Sequence, residues 1–415
     1  MISYILLRIL TFPFMFFSYR RLHAWGNRLG IMAYYLMPKF RKRALSNLAL
    51  AKDLGLTESE IIKIAKESFQ NLMITCLEYP KLSHEKNITK IATCENPSQA
   101  EELLKKQGII FFCGHQANWE ILFLEGTKRM PGVAIGRPIK NHHLYKWILS
   151  IREKNGGKVV PPKNAIKEGM RALKNKCFLG IVGDQGMPDS GFSSPFLGRL
   201  AWTSPIPAML AIKMECPIIV AITKRIRGEY VIHYGDPIYP DPERLYEDEI
   251  KRIMMDALRD LETSIKEIPG QWLWQHNRWK QQSLDKIKRR YRHDAIAIVL
   301  PQEKELLHKI LPHLATFREI YPTEFIEIFV PAEYADQIFL SDVEVRRYDK
   351  LDDILVNDYR PKLIFNFSKF SKIKAHFLNL SALEVVTLDH LKNETRIEDE
   401  NALTTILKSS IYNHA

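Results

Sequence analysis

The sequence offers little for cysteine chemistry to build on. Its five cysteines (Cys76, Cys94, Cys113, Cys177 and Cys216) are odd in number and scattered, and none forms a C-x-x-C pair. That excludes a disulfide scaffold and points to reduced thiols, mostly buried as small apolar side chains. Zinc-ligand spacing is missing as well, and the neighbouring His142 and His143 lack a third ligand pair nearby, so no metal is expected. No G-x-S-x-G supports a serine hydrolase, and there is neither a P-loop nor a G-x-G-x-x-G. RNP-like aromatics and a basic helix running into heptads are also absent, which argues against nucleic acid as a partner.

Acidic residues are missing from the first fifty positions, which hold eight basic ones (Arg8, Arg20, Arg21, Arg28, Lys39, Arg41, Lys42, Arg43). The totals are 60 basic and 48 acidic; residues 291–415 contribute 15 and 20, leaving 45 and 28 for residues 1–290. A first region of +17 and a second of −5 predict two domains with different partners. A long hydrophobic run is lacking too. Ile2 to Phe17 is apolar but broken by Arg8 and Pro13 and closed by Arg20 and Arg21, whereas a crossing takes about 20 apolar residues. With no small-residue cleavage site after it, the segment reads as a membrane anchor or interfacial helix over 1–25, its cations against anionic lipid.

What is present is a rhythm of helices and apolar strands. Thr57 and Glu60 form a capping box for a helix over 57–79, and Asn96 with Pro97 opens another that stops at Gly108. "IIFFC" (109–113) is then a buried strand, and the pattern repeats with a helix over 165–176 and a strand "CFLGIV" (177–182). A helix around 203–216, a strand "PIIVAIT" and a long helix over 246–268 follow. Helices alternating with wholly apolar strands predict an α/β fold whose sheet is mixed, mostly parallel and flanked by helices. After the basic "KIKRRYRH" (286–293), five more apolar segments predict a smaller, Rossmann-like α/β domain over 292–415. Its start resembles the first half of heptosyltransferase-type glycosyltransferases, without the donor-binding half.

In such sheets ligands gather at the carboxyl ends of strands, where His115 and Asp184 fall. His115 and Glu120 are five positions apart, about 140° around a helix, so they would not face each other on one. They meet only if His115 lies in the strand-to-helix turn and Glu120 in the first helical turn. Glutamate would then hold one imidazole nitrogen while the other takes a proton, the logic of an oriented general base. Taken alone, the spacing is equally that of a strand end with two polar residues. Cys113 alternates with apolar neighbours and has no activating group, so it reads as buried.

Five motifs stand in order: His115-x4-Glu120, Arg137-Pro138, Asp184-Gln185, Phe196-Leu197-Gly198 followed by Thr203 and Pro205, and Pro269-x-x-Trp272-x-Trp274-x-x-x-Arg278. Together with the amino-terminal segment and "KFRKRALSNLAL", they resemble the late (lauroyl and myristoyl) acyltransferases of lipid A biosynthesis, within the wider H-x4-D/E glycerolipid acyltransferase superfamily. The resemblance covers roughly residues 1–285 and implies an acyltransferase domain over 26–288. It implies His115 as general base and Glu120 as its orienting partner. Arg137, Asp184, Gln185, Asn118 and Arg278 would bind substrate, Arg278 through a phosphate or acidic sugar. The implied donor is a fatty acyl thioester on acyl carrier protein, and the implied acceptor a hydroxyl on an acyl chain of a lipid A precursor. No cofactor is needed, since a thioester is already activated. The implied location is the inner (cytoplasmic) membrane, with the catalytic domain facing the cytoplasm.

Three other readings remain open at this stage. An acyltransferase of glycerol phosphate or lysophospholipids would use the same dyad, a thioester hydrolase would replace the acceptor by water, and a non-catalytic membrane scaffold would need neither.

Overall fold

In the computed structural model, residues 2–281 and 286–413 are described. They form two compact units, each discontinuous in sequence: Met1–Leu36, Ile62–Gln185 and Ser190–Leu273 in the first, Met37–Ile61, Gly186–Asp189 and Trp274–Ala415 in the second.

The strands of the first unit are β1 (Ala92–Cys94), β2 (Ile109–Cys113), β3 (Gly132–Ile135), β4 (Lys158–Val160), β5 (Phe178–Val182), β6 (Phe192–Phe196), β7 (Arg199–Thr203), β8 (Ile218–Ile226) and β9 (Glu229–Tyr234). Seven build one sheet in the order β1-β9-β8-β2-β5-β3-β4, and β6 and β7 form a separate antiparallel hairpin. Only β8 and β9 run antiparallel within the large sheet; every other pairing is parallel. The expected mixed, mostly parallel α/β sheet is therefore what forms. β2 lies at its centre with all five residues buried, as a strand covered on both faces must be. Helices Ala165–Lys174, Ile206–Met214 and Tyr246–Glu267 occupy the stretches that read as helical.

The register matters most for function. Cys113 at the end of β2 lies opposite Val182 at the end of β5. Counting on two residues in each chain puts His115 and Asp184 side by side beyond adjacent strand ends.

Local chemistry accounts for the helix starts, with one correction. The backbone N–H of Thr57 donates to Glu60 Oε2 at 2.8 Å, and the Glu60 N–H reaches Thr57 Oγ1 at 3.4 Å, closing the box ahead of helix Glu58–His84. Asn96 does not cap helix Pro97–Lys106. Its amide is taken by the strand beside it, donating to Tyr234 O (2.6 Å) and accepting from Tyr234 N (3.0 Å).

The amino-terminal segment also departs from expectation. Residues Ile2–Thr11 are helical, Phe12–Phe16 turn as a 3-10 helix with Pro13 near its start, and Tyr19–Leu36 is a second helix. Among the described residues, no helix is long and apolar enough to cross a membrane. The break falls where the proline interrupts the helical ladder. Ile5, Leu6, Ile9, Leu10, Phe12 and Phe16 are exposed.

The second unit contains β10 (Ala295–Val299), β11 (Phe325–Pro331), β12 (Val343–Tyr348), β13 (Leu363–Asn366) and β14 (Glu384–Thr387), all parallel in the order β12-β11-β10-β13-β14. All five fall on the segments that read as strands. The sequence placed the division near residue 290, but residues 37–61 and 274–288 belong with this sheet. Polar anchoring holds them there. Asn47 Nδ2 donates to Trp274 O (2.8 Å), Asn47 Oδ1 accepts from Lys362 Nζ (2.9 Å), and Ser46 Oγ donates to Arg360 O (2.6 Å).

Candidate active site

A tight turn after β2 presents His115. The Gln116 N–H bonds back to Gly114 O at 2.8 Å, and Ala117 takes a positive φ of 48°. A side chain on Gly114 would have little room, because a Cβ there would lie 3.1 Å from Asp184 Oδ2 and 3.0 Å from Leu261. The strained residue is held from both sides. Ala117 N donates to Gln271 O (2.8 Å), while Asn71 Nδ2 (3.0 Å) and Thr75 Oγ1 (3.1 Å) donate to Ala117 O. Leu273 N donates to His115 O at 3.0 Å, fixing the histidine backbone as well.

Asp184 comes from the end of β5 and meets His115 directly. Its Oδ1 is 2.6 Å from His115 Nδ1, and its Oδ2 accepts the His115 backbone N–H at 2.7 Å. The indole Nε1–H of Trp272 donates to the same Oδ2 at 2.8 Å. The aspartate is 2 % exposed, so two fixed N–H donors on one oxygen favour its ionised form. An ionised carboxylate accepts only, which assigns the imidazole proton to Nδ1 and makes Nε2 the acceptor nitrogen of the neutral ring. Gln185 Nε2 lies 3.5 Å from that nitrogen, and Trp119 packs edge-on against the ring at 4.8 Å.

The resemblance implied Glu120 as the orienting partner of His115, but the two share no hydrogen bond. Glu120 is engaged elsewhere: Arg152 Nε donates to its Oε2 at 2.7 Å, Arg152 Nη2 reaches Oε1, and Tyr79 OH donates to Oε1 at 2.7 Å. Burial alone would push its carboxyl up. The charge and hydrogen bonds of Arg152 outweigh that and hold it below the usual range, while burial and the adjacent Glu120 charge push the Tyr79 phenol well up. His115 and Glu120 therefore sit on the same cavity without touching through hydrogen bonds, because each already has a nearer partner of the right chemistry.

That cavity has a volume of about 350 Å³ and is lined by His115, Glu120, Arg137, Arg152 and Gln185 at its polar part. Elsewhere its wall is apolar, including Leu122, Phe123, Phe178 and Val182, with Gly126 and Gly180 contributing no side chain. The volume lies at the low end of small-molecule sites, and a mostly apolar wall with a few polar groups is their usual composition. Cys113 also borders it, but burial pushes its thiol far up, so it supplies no thiolate.

Of the remaining expected residues, Arg137 stands exposed on the cavity wall just past β3. Asn118 is fully buried: its Oδ1 accepts Glu120 N (3.1 Å) at the start of helix Trp119–Arg129, and its Nδ2 donates to Glu78 Oε2 (2.6 Å). Glu78 also meets Tyr230 OH (2.7 Å) and His23 Nε2 (2.6 Å), a buried network beneath the turn. Arg278 is fully buried in the second unit and does not line this cavity, so the phosphate contact expected of it has no opening there. Among the described residues, no group of three or more His, Cys, Asp or Glu is placed to hold a metal.

Sequence reasoning missed Arg152, Tyr79 and the role of Trp272. Arg152 is 32 positions and Tyr79 is 41 positions from Glu120, so no local spacing joins them. Trp272 stood within a quoted motif, but only the fold shows which oxygen its indole meets. The model of the bacterial lipid A biosynthesis acyltransferase family matches residues 2–281. No curated protein matches the chain.

Proposed function

Because the chain belongs to the bacterial lipid A biosynthesis acyltransferases, we propose that it moves a fatty acyl chain from acyl carrier protein onto a hydroxyl of a lipid A precursor, with His115 as general base and Asp184 as its orienting carboxylate. The observation that carries this reading is the 2.6 Å contact between His115 Nδ1 and Asp184 Oδ1 beside an apolar cavity. The acyl chain lies along the wall formed by Phe123 and Phe178, which brings its thioester carbonyl to the polar part of the cavity. His115 Nε2 takes the proton of the acceptor hydroxyl as its oxygen attacks the thioester carbon. Asp184 stabilises the imidazolium that forms. The tetrahedral oxyanion faces Arg137, whose cation is most useful where charge develops. Collapse breaks the C–S bond, and the imidazolium returns its proton to the departing thiolate.

Glu120 and Arg152 contribute differently in this scheme. Their pairing fixes a charged but neutralised wall next to the base. The basic surplus of residues 1–290 suits an acidic carrier protein and anionic lipid. The exposed apolar residues between Ile5 and Phe16 support an interfacial seat on the inner membrane rather than a span.

Mass spectrometry of lipid A from cells lacking and expressing the protein tests the reading. Expression should add the mass of one acyl chain, and the His115→Ala variant should add none. Acylation of lysophosphatidate in place of lipid A precursor by the purified enzyme, or release of free fatty acid as the sole product, would overturn it.

A further inference from the structure

The second unit holds a cavity of about 240 Å³ lined by six cations, Lys39, Arg43, Lys280, Arg289, Arg292 and Lys362. The lining includes one carboxylate, Asp294, which lies 2.8 Å from Lys362 Nζ. Cations thus outnumber the carboxylate in this lining, and Lys39, Lys280 and Arg289 have no carboxylate partner among the described residues. Desolvation already works against this charge: burial lowers the Arg43 guanidinium, with Asp294 opposing. Burial likewise pushes His293 down to about 4, so it lines the cavity as a neutral imidazole at neutral pH. Like charges held together at such cost are stabilised by an anion between them.

We propose that this cavity is a binding site for a phosphate-bearing ligand with a small polar substituent. Among the described residues no phenylalanine, tyrosine or tryptophan lines it, so a nucleobase finds nothing there to stack on, and Leu383 is their one apolar side chain, so an acyl chain finds no wall among them. Its volume is below the range of typical drug-sized sites, which suits a phosphorylated headgroup or sugar phosphate and excludes a dinucleotide. Arginine forks and lysine ammoniums are the side chains that hold phosphate oxygens through charge-assisted bonds.

The position in the fold supports a dedicated site. Asp294, Lys362 and Leu383 each immediately precede a strand (β10, β13 and β14), so the cavity opens at the amino edge of the parallel sheet. Lys39, Arg43, Asn277, Lys280 and Gln281 come from the stretch matched by the acyltransferase family, and Arg289, Arg292 and Lys362 from beyond it. The ligand is thus held jointly by family residues and by the added domain, independently of the acyl-transfer site.

The source of the phosphate separates by experiment on the full-length protein. One arm titrates inorganic pyrophosphate by calorimetry; the other measures sedimentation with phosphatidylcholine vesicles with and without phosphatidic acid. A Lys280→Gln/Arg289→Gln variant is compared with a Lys304→Gln/Lys374→Gln control of equal charge change, both checked for native circular dichroism and melting. The proposal expects saturable binding in at least one arm, weakened about tenfold or more by the cavity variant and left close to wild type in the control. Pyrophosphate binding identifies a soluble phosphate, and binding only to phosphatidic acid vesicles identifies a headgroup. The single Arg289→Gln variant stands in should the double variant fail to fold. No binding in either arm, or equal losses in the cavity variant and control, overturns the proposal.

Discussion

The two sheets of this molecule place their charged side chains at opposite ends. In the seven-stranded sheet, β2 and β5 run out at the same level, and the residues just past their carboxyl ends, His115 and Asp184, form a hydrogen-bonded pair on an apolar cavity. In the five-stranded sheet the cavity sits before the strands begin, and cations outnumber carboxylates among the described residues that line it. Both sheets are α/β, and both carry buried central strands. The difference teaches that the fold sets where side chains can converge, while the residues at that place set the charge and polarity of the cavity.

The comparison can be broken first at the histidine. His115→Ala should lower kcat for acyl transfer by about 10³- to 10⁴-fold, the range of a lost general base, with folding unchanged by circular dichroism. Asp184→Asn should cost nearly as much, because the amide cannot stabilise the imidazolium and can favour the wrong tautomer. Glu120→Gln should behave as a stability variant above all. Glu120 is 2 % exposed, and leaving Arg152 without its carboxylate should cost about 3 kcal/mol in a denaturant titration, with the pH–rate profile keeping its shape.

A smaller effect comes from one buried carboxylate of the second unit, Glu324. Burial pushes Glu324 up to about 7. Its folded value therefore exceeds its unfolded one, so its contribution is fully present below about pH 4.5 and is lost as pH rises through 7. Relative to Glu324→Gln, the wild type should lose on the order of 2–3 kcal/mol between pH 4.5 and 7.5, read from paired urea titrations. A constant difference across that range would show that Glu324 is not buried as a neutral acid. The smallest expected effect is on substrate choice. Gly180→Val fills part of the cavity wall and should shift the preferred donor toward shorter chains, seen in the acyl mass distribution, while leaving the His115–Asp184 pair intact.

Much of this was legible before the fold. The strands were readable because apolar runs such as "IIFFC" and "AIAIVLP" occupy sheet centres, where both faces are covered. His115 was readable because a polar residue at the end of such a run has few structural reasons to be there. Its partner was not, because the pairing depends on the β2–β5 register, which sequence does not disclose across 69 positions. The nearer glutamate was the natural choice from spacing, yet Arg152 and Tyr79 claim it through contacts 32 and 41 positions away in the chain. The discontinuous make-up of the two units was not legible for a similar reason. Asn47 and Ser46 look like helix polar residues in sequence, and only the fold brings the backbone oxygens and Lys362 that they bond.

The central claim is that Asp184, rather than Glu120, acts through His115, and a double-mutant cycle on kcat for acyl transfer tests it most directly. The account predicts that His115→Ala/Asp184→Asn is no slower than His115→Ala alone, since the aspartate has no catalytic work once the imidazole is gone. Fully additive losses, or an Asp184→Asn enzyme that keeps the wild-type rate while Glu120→Gln shows the non-additive pattern, would contradict it.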